Sequence, residues 1–105
     1  MTLTNVRRSD PITSVEAAEK AKKLASQDYV RHVMRTSGPF TDQELVQFYD
    51  DDVMAWRFGT FSPERLRTAR HELTGEDKEI HFAGYYRLTT RNRRAQVWAS
   101  KEQDA

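Results

Sequence analysis

The sequence predicts an α+β fold in which three to four helices precede a C-terminal β-hairpin. Three observations carry this expectation. Apolar residues recur at helical spacing as far as Leu73 and, beyond Gly75, at every second position. Helix-start signals recur along the first part of the chain, at Thr13, Thr41 and Ser62. The chain has 105 residues, 37% of them apolar and 31% charged, which suits one small globular domain with a single modest core.

The opening MTLTNVRRSDP has no period, so residues 1–12 are read as a flexible arm, and its two arginines are a candidate phosphate tether. Thr13-Ser14-Val15-Glu16 has capping-box spacing, in which the hydroxyl and the carboxylate each satisfy the other residue's amide. A helix is expected to start there. Val15, Ala18, Ala21, Leu24 and Ala25 then form a shallow, alanine-rich contact face, with Glu19, Lys20, Lys22 and Lys23 largely on the other side. A second helical segment runs from about Gln27 to Thr36, with Val30, Val33 and Met34 inward and Arg31 and Arg35 outward. It stops at Ser37-Gly38-Pro39, and whether the two segments join through Ser26 is left open.

Phe40 reads as a short extended piece. Thr41-Asp42-Gln43-Glu44 repeats the capping-box spacing ahead of Leu45, Val46, Phe48 and Tyr49, so a short helix follows. Asp50-Asp51-Asp52 ends its periodicity. The connector Val53 to Phe61 is too apolar for a solvated linker and is expected to fold back on the core. The next helix is the best bounded of all: Ser62 suits the N-cap, Pro63 the first helical position, Glu64 the positive end of the dipole, and Gly75 lies past the last apolar position. Leu66, Ala69 and Leu73 share its inner face. Glu64, Arg67, Thr68 and His71 lie opposite, with Arg65 and Arg70 on the flanks. From Ile80 to Leu88 and from Ala95 to Ser100 the period is two, and the loop Thr90 to Arg94 between them holds three arginines. Residues 101–105 read as a frayed tail, leaving 13–100 as the folded domain.

Composition limits the chemistry. With no cysteine there is no disulfide, no thiolate nucleophile and no thiolate metal ligand, which fits a reducing cytoplasm. No apolar run reaches the length of a membrane span, so no membrane partner is expected. His32, His71 and His81 lack metal-ligand spacing, and the Asp50–Asp52 run suits a solvated turn better than a magnesium cluster. No nucleophile paired with a base and no phosphate-cradling glycine loop is present. The expectation is a protein that is not an enzyme and uses no cofactor or metal. The formal net charge of +1 conceals an uneven distribution: residues 41–60 carry one basic and five acidic side chains, and the segments on either side are mildly basic.

Helix, helix, capped short helix, compact connector, capped polar helix and basic-tipped hairpin is the order of a winged helix-turn-helix domain. In that arrangement the Phe61–Gly75 segment is the recognition helix and Arg91–Arg94 the wing. The blocks DPITSVEAAEKA, SGPFTDQELV, SPERLRTARHEL and RRAQVW, which follow one another from Asp10 to Trp98, resemble the small winged-helix proteins encoded by phages of actinobacteria. The resemblance implies double-stranded DNA as partner and the cytoplasm of a bacterial host as location. It departs at GEDKEIHFAGYYR, where a longer aromatic segment replaces the usual short turn into the wing, and at Asp50–Asp52, an awkward neighbour for phosphates.

The candidate DNA-binding residues are therefore Arg65, Arg67, Thr68 and His71 on the helix and Arg91, Arg93 and Arg94 at the hairpin tip. A guanidinium at Arg65 or Arg67 suits guanine O6 and N7, Thr68 a thymine methyl or phosphate, and His71 a phosphate or base acceptor. The ordinary use of the same helix is a solvated face with internal ion pairs, Glu64 with Arg67 or Arg65 with Glu72. Trp98, Tyr85 and Tyr86 are read as sheet packing rather than base-stacking platforms. The alternative to a DNA-binding regulator or accessory factor is an interaction module that engages a host protein through Asp50, Asp51, Asp52 and the apolar connector. The first, alanine-rich helix is a candidate homodimer surface, and an unpaired monomer is equally allowed.

Overall fold

The computed structural model describes residues 11–75 and 78–101, with side chains from residue 15 onward. The expected tail beyond Lys101 and all but the last two residues of the expected arm lie outside the described residues. Three helices, α1 (Pro11–Thr36), α2 (Asp42–Asp51) and α3 (Pro63–Glu72), precede the antiparallel hairpin of β1 (Ile80–Leu88) and β2 (Arg94–Ser100). The architecture is α+β and compatible with a winged-helix layout.

The two N-terminal segments are one helix of 26 residues. Ser26 permits this because its buried hydroxyl donates to the Lys23 carbonyl at 2.7 Å, so a polar side chain enters the core without an orphaned donor. The start differs from the expected Thr13 cap: the helical backbone already runs through Pro11, a residue suited to a first turn, so Thr13 lies inside the helix. The alanine-rich face meets the core only at its C-terminal end, where partly buried Ala25 packs against it. Residues 15–24 are all exposed, with Val15 57% and Leu24 50% accessible, whereas Ser26, Tyr29, Val30, Val33 and Met34 are buried. At 3.6 residues per turn Val15 and Ala18 fall on the stripe that carries Val33 and Tyr29, so they are exposed because α1 there runs past the body it would pack against. The helix ends where the amides of Ser37 and Gly38 both donate to the Val33 carbonyl, and a Cβ on Gly38 would come within 2.8 Å of the Met34 carbonyl oxygen.

Phe40 pairs with Trp98 as a single antiparallel bridge, its amide donating to the Trp98 carbonyl at 3.0 Å and its carbonyl accepting at 2.8 Å. This puts the hairpin beside α2. Thr41 caps α2 in a complete capping box, with Glu44 N to Thr41 Oγ1 at 3.1 Å and Thr41 N to Glu44 Oε1 at 2.9 Å. The connector contains one 3-10 turn, Ala55–Arg57, and closes on the core through Ala55, Phe58 and Phe61. Tyr29 lies at the centre of that closure, edge-on to Tyr49 at 5.3 Å and to Phe58 at 5.4 Å. The expected return of the connector is only partial, because Val53, Met54 and Trp56 face solvent.

In the hairpin, Ile80, His81 and Phe82 pair with Ser100, Ala99 and Trp98, and Tyr86, Arg87 and Leu88 pair with Gln96, Ala95 and Arg94. Between them β1 bulges, and Gly84 within the bulge has φ +95°, which a side chain would disfavour. The proximal half packs on the core through Ile80, Val97 and Ala99, and the distal half projects with Tyr85, Tyr86 and Leu88 exposed. The longer aromatic segment thus forms a long first strand bent by a bulge.

Candidate nucleic-acid interface

α3 is built as its termini dictate. Ser62 accepts from the Arg65 amide at 3.1 Å, Pro63 occupies the first turn, and Leu66, Ala69 and Leu73 are buried against the rest of the core. With that face inward, Arg67, Thr68 and His71 are left exposed along the outer side. The nearest carboxylate to Arg67 is Glu64, at 3.6 Å and 78% side-chain exposure, a weak surface pair that a ligand can displace. Thr68 and His71 take part in none of the described side-chain hydrogen bonds.

Arg65 differs from these three. Its guanidinium donates to Glu72, and both side chains are mostly covered, at 21% and 25% accessibility. Glu72 also accepts from Gln27 Nε2 at 2.9 Å and lies 3.8 Å from Lys23 Nζ. Burial acts to raise the Glu72 pKa, but the Gln27 hydrogen bond and the Arg65 charge outweigh it and hold the carboxyl below its ordinary range. Glu72 therefore ties α3 to α1, and Arg65, on α3 itself, holds that carboxylate in place. Both ion pairs of the ordinary surface-helix reading, Glu64 with Arg67 and Arg65 with Glu72, are formed.

Arg70, read from the sequence as a flank residue, is buried. Its Nε and Nη2 close on Asp42 Oδ1 and Oδ2 at 2.7 and 2.8 Å, and its guanidinium lies 4.0 Å from the centre of the Trp98 ring. This one side chain joins α3 to α2 and β2.

The hairpin tip is anchored from the same side of the fold. Gln43 holds Thr90 twice, through Nε2 to Oγ1 at 2.8 Å and Oε1 from the Thr90 amide at 3.1 Å. Arg87 Nη1 donates to Glu44 Oε1 at 2.5 Å, the carboxylate that also completes the α2 cap. Burial works against the ionised Glu44, but Arg87 and the Thr41 amide prevail and lower its pKa. The turn itself closes through Thr89 N to Arg93 O at 2.8 Å, with Asn92 at φ +62°. On this fixed backbone Arg91 and Arg93 are exposed and have no carboxylate partner among the described residues. Arg94 opens β2 and lies over Tyr86, 4.5 Å from the ring centre, so it is held while remaining exposed.

The sequence-predicted residues thus fall into an exposed set on α3, an exposed set at the hairpin tip, and Arg65, which is engaged within the fold. Sequence reasoning missed the Arg70–Asp42 clamp and the Gln43–Thr90 and Glu44–Arg87 anchors. Their partners are 28 to 47 residues apart in the chain, where periodicity gives no signal. The acidic run is divided: Asp50 and Asp51 are exposed, while Asp52 turns back to accept from the Tyr29 hydroxyl at 3.1 Å and the Met54 amide at 3.0 Å. Burial and this carboxylate both raise the Tyr29 pKa and keep the phenol protonated. No cluster of potential metal ligands occurs among the described residues, and no described helix is long and apolar enough to cross a membrane. Comparison with family models, with curated proteins and with solved structures finds no match to the chain.

Proposed function

We propose that this chain is a DNA-binding winged-helix protein of phage origin, a transcriptional regulator or a DNA-binding accessory factor. In this reading α2 and α3 form the helix-turn-helix, α3 enters the major groove, and the hairpin is the wing. The observation that carries the proposal is the division of labour on α3. Leu66, Ala69 and Arg70 seat the helix, Arg65 is engaged with Glu72, which meets α1, and Arg67, Thr68 and His71 are left outward at the spacing of one groove-facing surface. The hairpin adds support: Arg91 and Arg93 stand on a turn pinned to α2, so two cations are presented to a phosphate backbone without a flexible loop to order on binding. Asp42, Glu44 and Glu72 are each paired with an internal guanidinium, which leaves Glu64, exposed and weakly paired with Arg67, as the carboxylate on the outer face of α3. The resemblance to phage winged-helix proteins supports the same reading.

Selection from a random duplex pool at moderate salt tests the proposal. An enriched motif whose enrichment is lost in Arg67→Ala is expected, and a pool left unenriched by the wild-type chain would refute it.

A second reading, engagement of a host protein, is favoured by one observation: Val53 and Trp56 are 82% and 73% exposed next to Asp50 and Asp51. Nuclease-treated host lysate should then yield one stoichiometric partner whose capture depends on Trp56 and is indifferent to Arg67.

A further inference from the structure

The connector between α2 and α3 presents an apolar patch that the fold leaves uncovered. Val53, Met54 and Trp56 are 82%, 45% and 73% exposed, and a tryptophan so exposed is the kind of side chain that anchors interfaces. The patch has an acidic approach, because exposed Asp50 and Asp51 end the helix that leads into it. Met54 also lines an open cleft of about 440 Å³ whose apolar walls are Val33, Phe48 and Phe58. An apolar side chain arriving at the patch therefore has a pocket to enter.

The same chain carries a surface of complementary chemistry. Residues 15–24 of α1 are exposed throughout, with Lys23 3.8 Å from Glu72, and a helical stretch with so little tertiary packing is only marginally stable in water. At 3.6 residues per turn Ala17, Ala18, Ala21 and Leu24 share one face, Lys20 and Lys22 flank it on either side, and Glu16 and Glu19 lie behind. Pairing of this face with its own copy would bring lysine flanks against lysine flanks, a like-charge arrangement that disfavours association. Docking on the patch instead brings the lysine flanks towards exposed Asp50 and Asp51, two carboxylates against the single guanidinium of exposed Arg57 in the cleft. Alanines let the helix lie close to Trp56, and Leu24 supplies an apolar side chain.

We propose that the protein forms a two-fold dimer in which the lysine-flanked face of each α1 seats on the Val53, Met54 and Trp56 patch of the other copy. Each copy gives its helix to the same partner from which it receives one, and this two-fold relation closes the assembly at two chains. Two reciprocal contacts need bury only about 800 Å² each to reach the roughly 1,600 Å² of a stable interface. Nothing in this pairing depends on DNA.

Sedimentation velocity on the full chain without nucleic acid tests it, with far-UV circular dichroism to verify that every variant is folded. The wild type should sediment as a dimer, and Trp56→Ala should weaken association at least tenfold. Lys20→Glu with Lys22→Glu should give a monomer, as should Asp50→Lys with Asp51→Lys. An equimolar mixture of these two charge-reversed chains should recover the dimer, because each helix again meets a patch of opposite charge. A wild type monomeric at every concentration overturns the proposal and leaves the patch to another protein or to solvent. A mixture that stays monomeric overturns it as well. A dimer that survives the aspartate reversal, or strengthens on lysine reversal, shows helix-to-helix pairing and also overturns it.

Discussion

Arg70 closes a two-point fork on Asp42, with both N to O distances at 2.7 to 2.8 Å, while its guanidinium covers the Trp98 ring at 4.0 Å. The pair is mostly shielded, with side-chain accessibilities of 11% and 28%. It fixes the angle between α2 and α3 and sets the root of the hairpin against both. The relative placement of the proposed reading helix and wing depends on it.

Removing one partner of a shielded, forked ion pair strands the other's charge. Arg70→Ala and Asp42→Ala are each expected to lower unfolding stability by about 3 kcal/mol, with Arg70→Lys recovering only part because an ammonium cannot fork or stack. Urea unfolding of both single variants and the double variant checks this. Strict additivity would contradict a direct pair.

The α3 N-cap rests on one hydroxyl. Ser62→Ala should cost about 1 kcal/mol and Ser62→Asp close to nothing, since aspartate caps equally well. Equal losses in the two variants would contradict the capping role.

Glu44 and Glu72 couple stability to acid. Both carboxyls sit below their ordinary pKa of 4.5 in the folded chain, because Arg87 with the Thr41 amide, and Gln27 with Arg65, outweigh the opposing effect of burial. A carboxyl whose pKa is lower folded than unfolded stabilises fully above the unfolded value and loses that contribution as pH falls through the folded one. Urea midpoints should therefore hold from neutral pH down to about 5 and fall below about 4.5. Glu44→Gln should make that acid decline shallower. An unchanged decline would exclude Glu44 as a contributor.

Arg65 and Arg67 are expected to separate in function. Arg67→Ala should relax sequence preference at one base position by about 1 to 3 kcal/mol with little change in stability. Arg65→Ala should lower stability by loosening α3 from α1 and leave the preferred motif as it is. Competition binding with single-base variants of the selected duplex, beside thermal melts, distinguishes the two. A motif change in Arg65→Ala alone would reverse these roles.

What the residues revealed in advance was local. The caps at Thr41 and Ser62, the inward set Leu66, Ala69 and Leu73, and the period-two strands all depend on neighbours within a few positions, and the fold realises each of them. The joining of the α1 segments turned on whether Ser26 could satisfy its hydroxyl within the helix, and periodicity does not report that. The outward alanine face ran against the rule that apolar residues pack inward, because α1 extends beyond the body it would have to pack against, and on the connector Trp56 faces solvent as well. Among the candidate site residues, the exposure of Arg67, Thr68 and His71 follows from α3's own period. The Arg65–Glu72 pair was legible as an ion pair within the helix, but the contacts of Glu72 with Gln27 and Lys23 were not, since they join residues 45 and 49 positions apart.

Joint binding of duplex DNA by α3 and the hairpin tip should be visible in the salt dependence of affinity for the selected duplex, followed by fluorescence anisotropy from low to moderate ionic strength. The logarithm of affinity should fall linearly with the logarithm of salt concentration. Every cation removed from the phosphate backbone should make that line shallower by about 0.9, so Arg91→Ala with Arg93→Ala should reduce its steepness by about 2. An identical slope in that double variant, or no saturable binding of the wild type to any duplex at low salt, would contradict joint binding by helix and hairpin.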